Sequence, residues 1–186
     1  MVRKQKASIL SEDEHLWCGF IIDLDVTETL PLFRRAHITA YPTDPETVHE
    51  SWLENRTVVT NNEKDFIRYS LEHSKRDSGP VCQDCWGLLI VPADAITRGR
   101  VIVKAKNGVT IAGRLVPWRV IGYANLCVTL HTDGGVSVRR LRRCAWCERN
   151  APIEEQWYKD LPVIEGKKKD RNAKFKNFKD LHKEDG

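Results

Sequence analysis

At 186 residues, with 41% hydrophobic and 30% charged side chains, the chain is long enough to bury one working core but not two full domains. No apolar run approaches the roughly 20 residues that a membrane-spanning helix requires, so a bilayer protein is excluded at the level of helices. Of 30 Lys/Arg and 26 Asp/Glu, the first 165 residues hold 22 of each, so the formal charge of +4 resides in the last 21 residues.

The basic start Met1 to Lys6 leads into the polar stretch Ser11 to His15 rather than an apolar signal core. Residues 1–15 are therefore read as a polar arm and the protein is expected in the cytoplasm, where cysteines stay reduced or bind metal. Leu16 to Ile22 read as a first strand closed by Asp23 and Asp25. Thr27 to Ala36 is expected as a short helix restricted by Pro31, and His37 to Tyr41 as a second strand. Asp44-Pro45-Glu46 announces a helix to about Asn55, with Val48, Trp52 and Leu53 directed inward. Val58 to Thr60 form a third strand and Glu63 to about His73 the next helix, with Phe66, Ile67 and Ser70 or Leu71 inward. After a loop from Arg76 to Asp84, Trp86 to Val91 is the continuous apolar run of a parallel strand covered on both faces. Ala93 to Lys106 is compatible with a helix or with a helix plus strand. Asn125 to Thr132 and Gly135 to Leu141 alternate around the turn signal Asp133-Gly134-Gly135 and predict a β-hairpin. Strands alternating with helices predict an α/β fold, a three-layer α/β/α core over 16–95 with a small parallel sheet. A β-rich extension over 96–150 and a basic tail over 151–186 complete the expected organisation.

The stretch Thr57 to Phe66 focuses the chemistry. A buried strand there runs straight into the acidic turn Thr60-Asn61-Asn62-Glu63-Lys64-Asp65, and ligands of α/β sheets bind at the carboxyl ends of strands. The plain alternative is a helix cap, with Asn61 or Asn62 capping and Glu63 and Asp65 favouring the first turn. Asp23, at the end of an earlier strand, is the second acid of this kind.

In order, Ile21-Ile22-Asp23, Asp44-Pro45-Glu46-Thr47-Val48, Val58 to Phe66 and Trp86 to Val91 resemble the PIN-like nuclease superfamily. The similarity is to its compact bacterial branch, in which a strand runs into a Thr-Asn-Asp-x-Asp-Phe turn, and it covers roughly residues 20–91. The turn here is one residue longer, with Asn62-Glu63 in place of a single Asp. The resemblance implies a ribonuclease that uses Mg²⁺ or Mn²⁺. Such hydrolysis requires converging carboxylates to hold a hard cation. Asp23 and Asp65 are the leading ligands, Asp44 or Glu46 joins from the helix start, Glu63 replaces the missing Asp, and Thr60 and Asn61 orient water or phosphate. For Asp44 the competing role is helix capping, and for Asp25 plain exposure to solvent. The branch also implies a toxin-like protein with a small antitoxin-like partner. The alternative is a module without a catalytic metal that binds RNA or protein through its basic segments.

A different resemblance, to haloacid-dehalogenase-type phosphatases, rests on Asp23-Leu24-Asp25-Val26-Thr27 and Val58 to Asn61. That family also places a metal-binding Asp pair or Gly-Asp after a later strand, and the strand ending in Val91-Pro92-Ala93-Asp94 offers Asp94 alone.

Cys82-Gln83-Asp84-Cys85 and Cys144-Ala145-Trp146-Cys147 have the spacing at which paired thiolates hold one structural Zn²⁺. Unrelated thiols or a redox pair are the alternatives. Cys18 and Cys127 read as core residues. Arg139, Arg140, Arg142 and Arg143 form a basic knot beside the second pair and are candidate nucleic-acid contacts, with Trp146 as a stacking partner. The six histidines show no local ligand spacing and receive no role.

Overall fold

In the computed structural model the described residues are 19–33, 35–54, 56–73, 87–111, 114–116, 126–141 and 159–164. They form a six-stranded sheet in the order β2-β1-β3-β4-β7-β8, from β1 (Phe20–Ile22), β2 (Ala36–Ile38), β3 (Thr57–Thr60), β4 (Gly87–Ile90), β7 (Leu126–Leu130) and β8 (Val136–Arg140). All neighbours are parallel except β7 and β8. The connecting helices are α1 (Asp44–Glu54), α2 (Glu63–His73) and α3 (Ala95–Ala105), with a 3₁₀ segment over Leu24–Leu32. A separate two-stranded sheet pairs β5 (Val109–Ile111) with β6 (Arg114–Val116).

Register explains why the central strands read as unbroken apolar runs. Ile22, Val59, Leu89 and Val128 lie side by side across four strands, and Ile21, Val58, Leu88 and Cys127 form the adjacent row. Side chains alternate across a sheet, so the first row faces one side and the second the other. The first packs with Val26 of the 3₁₀ segment and Val101 and Ile102 of α3. The second packs with Val48 of α1 and Phe66 of α2. Both rows are fully buried, which requires helices on each face. Polar contacts also tie the elements on the first face. Arg98 of α3 is 4% exposed, donating to the Pro92 carbonyl at 2.9 Å and from Nε to Glu28 of the 3₁₀ segment at 2.6 Å.

Several boundaries differ from the sequence reading. The helix expected over Thr27–Ala36 is 3₁₀ and begins earlier, at Leu24, with a non-helical Val26 and with Pro31 inside it. Pro31 lacks the N–H that a continuing α-helix would use. The second strand ends at Ile38 rather than Tyr41, because the Thr39 hydroxyl bonds Tyr41 N and Glu50 and turns the chain toward α1. Leu53, expected inward, is 52% exposed. Ala95–Ala105 is a helix, capped by Asp94, whose carboxylate accepts from Thr97 N at 2.7 Å.

The larger correction concerns the expected extension. Its hairpin does form, with Gly134 at φ 86° in the turn and Asp133 accepting from Gly135 N, but β7 pairs with β4 inside the main sheet. Strands more than thirty residues apart thus share one core, which local alternation does not reveal. The edge strand β8 is in turn bridged to the segment around Val163 through Arg140.

Candidate active site

The strand order reverses at β1, whose two neighbours β2 and β3 both follow it in the chain. In open α/β sheets ligands usually bind beyond the carboxyl ends of the strands at such a reversal, here β1 and β3. Asp23 and Thr60 occupy those two ends.

Asp23 is 6% exposed. Thr60, fully buried, donates its hydroxyl to Asp23 Oδ2 at 2.6 Å and accepts from the Asn62 backbone N–H at 3.0 Å. The hydroxyl therefore ties the β1 acid to the turn that opens α2. Asn62 organises the other acids. Its Oδ1 accepts from Asp65 N at 3.4 Å, capping α2, and its Nδ2 donates to Asp44 Oδ2 at 3.0 Å and Asp65 Oδ2 at 3.1 Å. One amide thus holds acids from the first turns of two helices. Arg68, one turn along α2, pairs with Asp65 Oδ1 at 2.9 Å.

The electrostatics of the cluster follow from this convergence. Burial pushes the Asp23 carboxyl above its ordinary range, opposed by the Thr60 bond and reinforced by the charge of Asp25. Asp44 is raised by desolvation first and then by repulsion from Asp23, Asp65 and Asp25, with Arg68 pulling the other way. Asp44 therefore feels the charge of three neighbouring carboxylates, which Arg68 compensates in part. Asp25, read from sequence as a solvent-facing acid, is exposed yet contributes to this field. The donor set is all oxygen, which suits a hard divalent cation such as Mg²⁺ or Mn²⁺.

Asp23, Asp44 and Asp65 are thus linked through Thr60 and Asn62, with their carboxylates not all within 4.8 Å of one another, whereas other sequence candidates stand outside this junction. Asn62, rather than Asn61, makes the acid contacts. An Asn two residues past the end of β3 is the one sequence signal that marks this cap. Glu46 accepts from the Thr43 hydroxyl at 2.6 Å at the start of α1, a capping contact rather than a ligand position. Glu63 forms an ion pair with Arg139 of β8. That contact also engages one of the four arginines expected to meet nucleic acid. Arg140 donates from Nε to the Leu161 carbonyl at 3.2 Å and its backbone bonds Pro162 and Ile164, so it fastens the following segment to the sheet edge. Arg142, Arg143, Trp146 and the four cysteines Cys82, Cys85, Cys144 and Cys147 lie outside the described residues. Asp94 caps α3 and is engaged there. Cys127 is buried in the core as expected.

No family model, curated protein or solved structure matches this chain. Among the described residues no helix is long and apolar enough to cross a membrane.

Proposed function

We propose that the chain is a metal-dependent ribonuclease of PIN-like type. The observation that carries this reading is the junction of Asp23, Asp44 and Asp65 through Thr60 and Asn62 at the point where the strand order reverses. Asp23, Asp44 and Asp65 would hold Mg²⁺ or Mn²⁺, with Asp25 adding negative charge at the rim. The cation supplies charge neutralisation at the phosphate and a lowered pKa for its water. The chain's own contribution is positional. Thr60 fixes the Asp23 carboxylate, Asn62 sets the spacing of Asp44 and Asp65, and the raised proton affinity of Asp44 makes a proton compete with a cation for that oxygen. The same reading includes a cytoplasmic setting, an antitoxin-like protein partner and a structural Zn²⁺ on Cys82, Cys85, Cys144 and Cys147.

Cleavage of a labelled single-stranded RNA with Mn²⁺ tests the reading. Asp23→Asn should lower the rate at least about 100-fold, and Asn62→Ala about 10–100-fold, the range typical of residues that orient ligands. Mn²⁺ should also raise the melting temperature of the wild type but not of Asp23→Asn. One observation favours the alternative of a binding module without catalytic metal: Glu63, the replacement for the missing turn Asp, is taken up by Arg139. RNA binding with neither cleavage nor metal stabilisation would establish that alternative.

A further inference from the structure

A second group of ligand atoms lies on the later turns of α1. His37 of β2 places Nε2 3.0 Å from Glu50 Oε1 and 3.7 Å from Glu54 Oε2. Among the described residues this is the one group of three His, Cys, Asp or Glu whose ligand atoms all lie within 4.8 Å of one another. Glu50 and Glu54 stand four residues apart, so they project from one face of the helix, and His37 meets that face from the edge strand. The acid cluster is separate. Glu50 and Glu54 lie about 9 and 15 Å along the helix axis from Asp44, at 1.5 Å per residue.

A histidine hydrogen-bonded to a buried glutamate would explain the closer contact without a metal. Three features go further. A single imidazole nitrogen can donate one proton, yet two carboxylates converge on the same Nε2. The gaps of 3.0 and 3.7 Å fall on either side of the roughly 3.3 Å edge of a tetrahedron with bonds of about 2.0–2.1 Å, as zinc has with nitrogen and oxygen. Finally, Glu50 is 6% exposed and its orientation is fixed from behind. Oε2 accepts from the Thr39 hydroxyl at 2.7 Å and Ala40 N at 3.2 Å, which leaves Oε1 aimed at His37. Such outer bonds are how proteins hold ligating carboxylates in place.

We propose that His37, Glu50 and Glu54 form a binding site for a zinc-class divalent cation, with the fourth position open to water. Imidazole with two carboxylates favours such an ion over Mg²⁺ or Ca²⁺, which take oxygen donors. Access is from solvent, since the side chains of His37 and Glu54 are 37% and 43% exposed. Arg56 is the competing cation. Its Nε stands 2.7 Å from Glu54 Oε2 while its Nη1 is held by the Arg35 carbonyl, so zinc binding turns Glu54 to present its other oxygen or shares the first. A filled site clamps β2 onto α1, the helix that delivers Asp44.

The test uses the full chain stripped by chelator and reloaded with zinc alone, counting bound zinc by equilibrium dialysis. The cysteine pairs are a separate source of zinc binding, and Co²⁺ distinguishes them, because thiolate ligation gives strong near-ultraviolet absorption and imidazole–carboxylate ligation does not. The wild type should hold one more zinc than Glu54→Gln or His37→Ala, with unchanged thiolate absorption in the Co²⁺ forms. Thr39→Val should weaken that zinc about 10–100-fold. Zinc should also shift the His37 ring resonances of the wild type. Glu54→Gln alters a half-exposed side chain, so it remains informative if His37→Ala fails to fold. Equal zinc content and affinity in wild type and Glu54→Gln, or His37 resonances unmoved at saturating zinc, would overturn the proposal.

Discussion

Thr60→Val removes a hydroxyl while keeping the shape of a fully buried side chain, so apolar packing in β3 is preserved. Two bonds are lost: the 2.6 Å donation to Asp23 and the 3.0 Å acceptance from Asn62 N. A hydrogen bond to a charged group is worth about 1.5–3 kcal/mol and a neutral one about 1, so the expected cost at neutral pH is about 3 kcal/mol. For a domain of this size that corresponds to roughly 6–12 °C in melting temperature. The sign of the pH dependence is specific. The Thr60 bond favours the charged form of Asp23, so removing it raises an already elevated carboxyl further. Below that titration the carboxyl is protonated in both proteins and the charge-assisted part of the bond is absent. The deficit should therefore be smaller at about pH 3 than at about pH 7, and Thr60→Ser should recover most of it. Urea unfolding at the two pH values measures this. A Thr60→Val protein within about 0.5 kcal/mol of wild type at neutral pH, or with equal deficits at both, would refute the reasoning.

Asp44→Asn should stabilise the metal-free protein at neutral pH by a few tenths of a kcal/mol up to about 1, the range for partly exposed charges. Asp44 has a folded-state pKa above its ordinary 3.8, so its destabilising effect appears as pH rises through that window. The advantage of Asp44→Asn should vanish at low pH, and an advantage independent of pH would contradict the repulsion argument. Glu63→Gln should leave Mn²⁺ affinity within about twofold and cost no more than about 1 kcal/mol, as a half-exposed ion pair does. A loss of tenfold or more in Mn²⁺ affinity by calorimetry would return Glu63 to the ligand set. Cys127, its thiol pushed up to about 11 by burial, should resist iodoacetamide in the native protein near neutral pH and react once unfolded. Native-state labelling of Cys127, read by mass spectrometry, would show that β7 is not held in the core.

The sequence by itself determined what depends on neighbours in the chain. The apolar runs of β3 and β4, the helix start at Asp44-Pro45, the hairpin around Gly134, the acid after β1 and the acidic turn after β3 are each encoded within a few residues. Periodicity and turn chemistry act at that range. Tertiary structure alone decided which of these segments meet. That β7 lies beside β4, that the Asn62 amide bridges Asp44 and Asp65, and that Glu63 belongs to Arg139 all depend on strand order. Two adjacent asparagines in the acidic turn, Asn61 and Asn62, are equivalent by composition. The direction of the cap, fixed once α2 packs through Phe66, selected Asn62. His37, Glu50 and Glu54 show the same limit most plainly. Only Glu50 and Glu54 have helical spacing, and the histidine arrives from a strand thirteen residues before Glu50 because β2 lies at the sheet edge against that face of α1. Hydrogen bonds and ligand sets of this kind are set by distances in space, which a pattern along the chain does not encode.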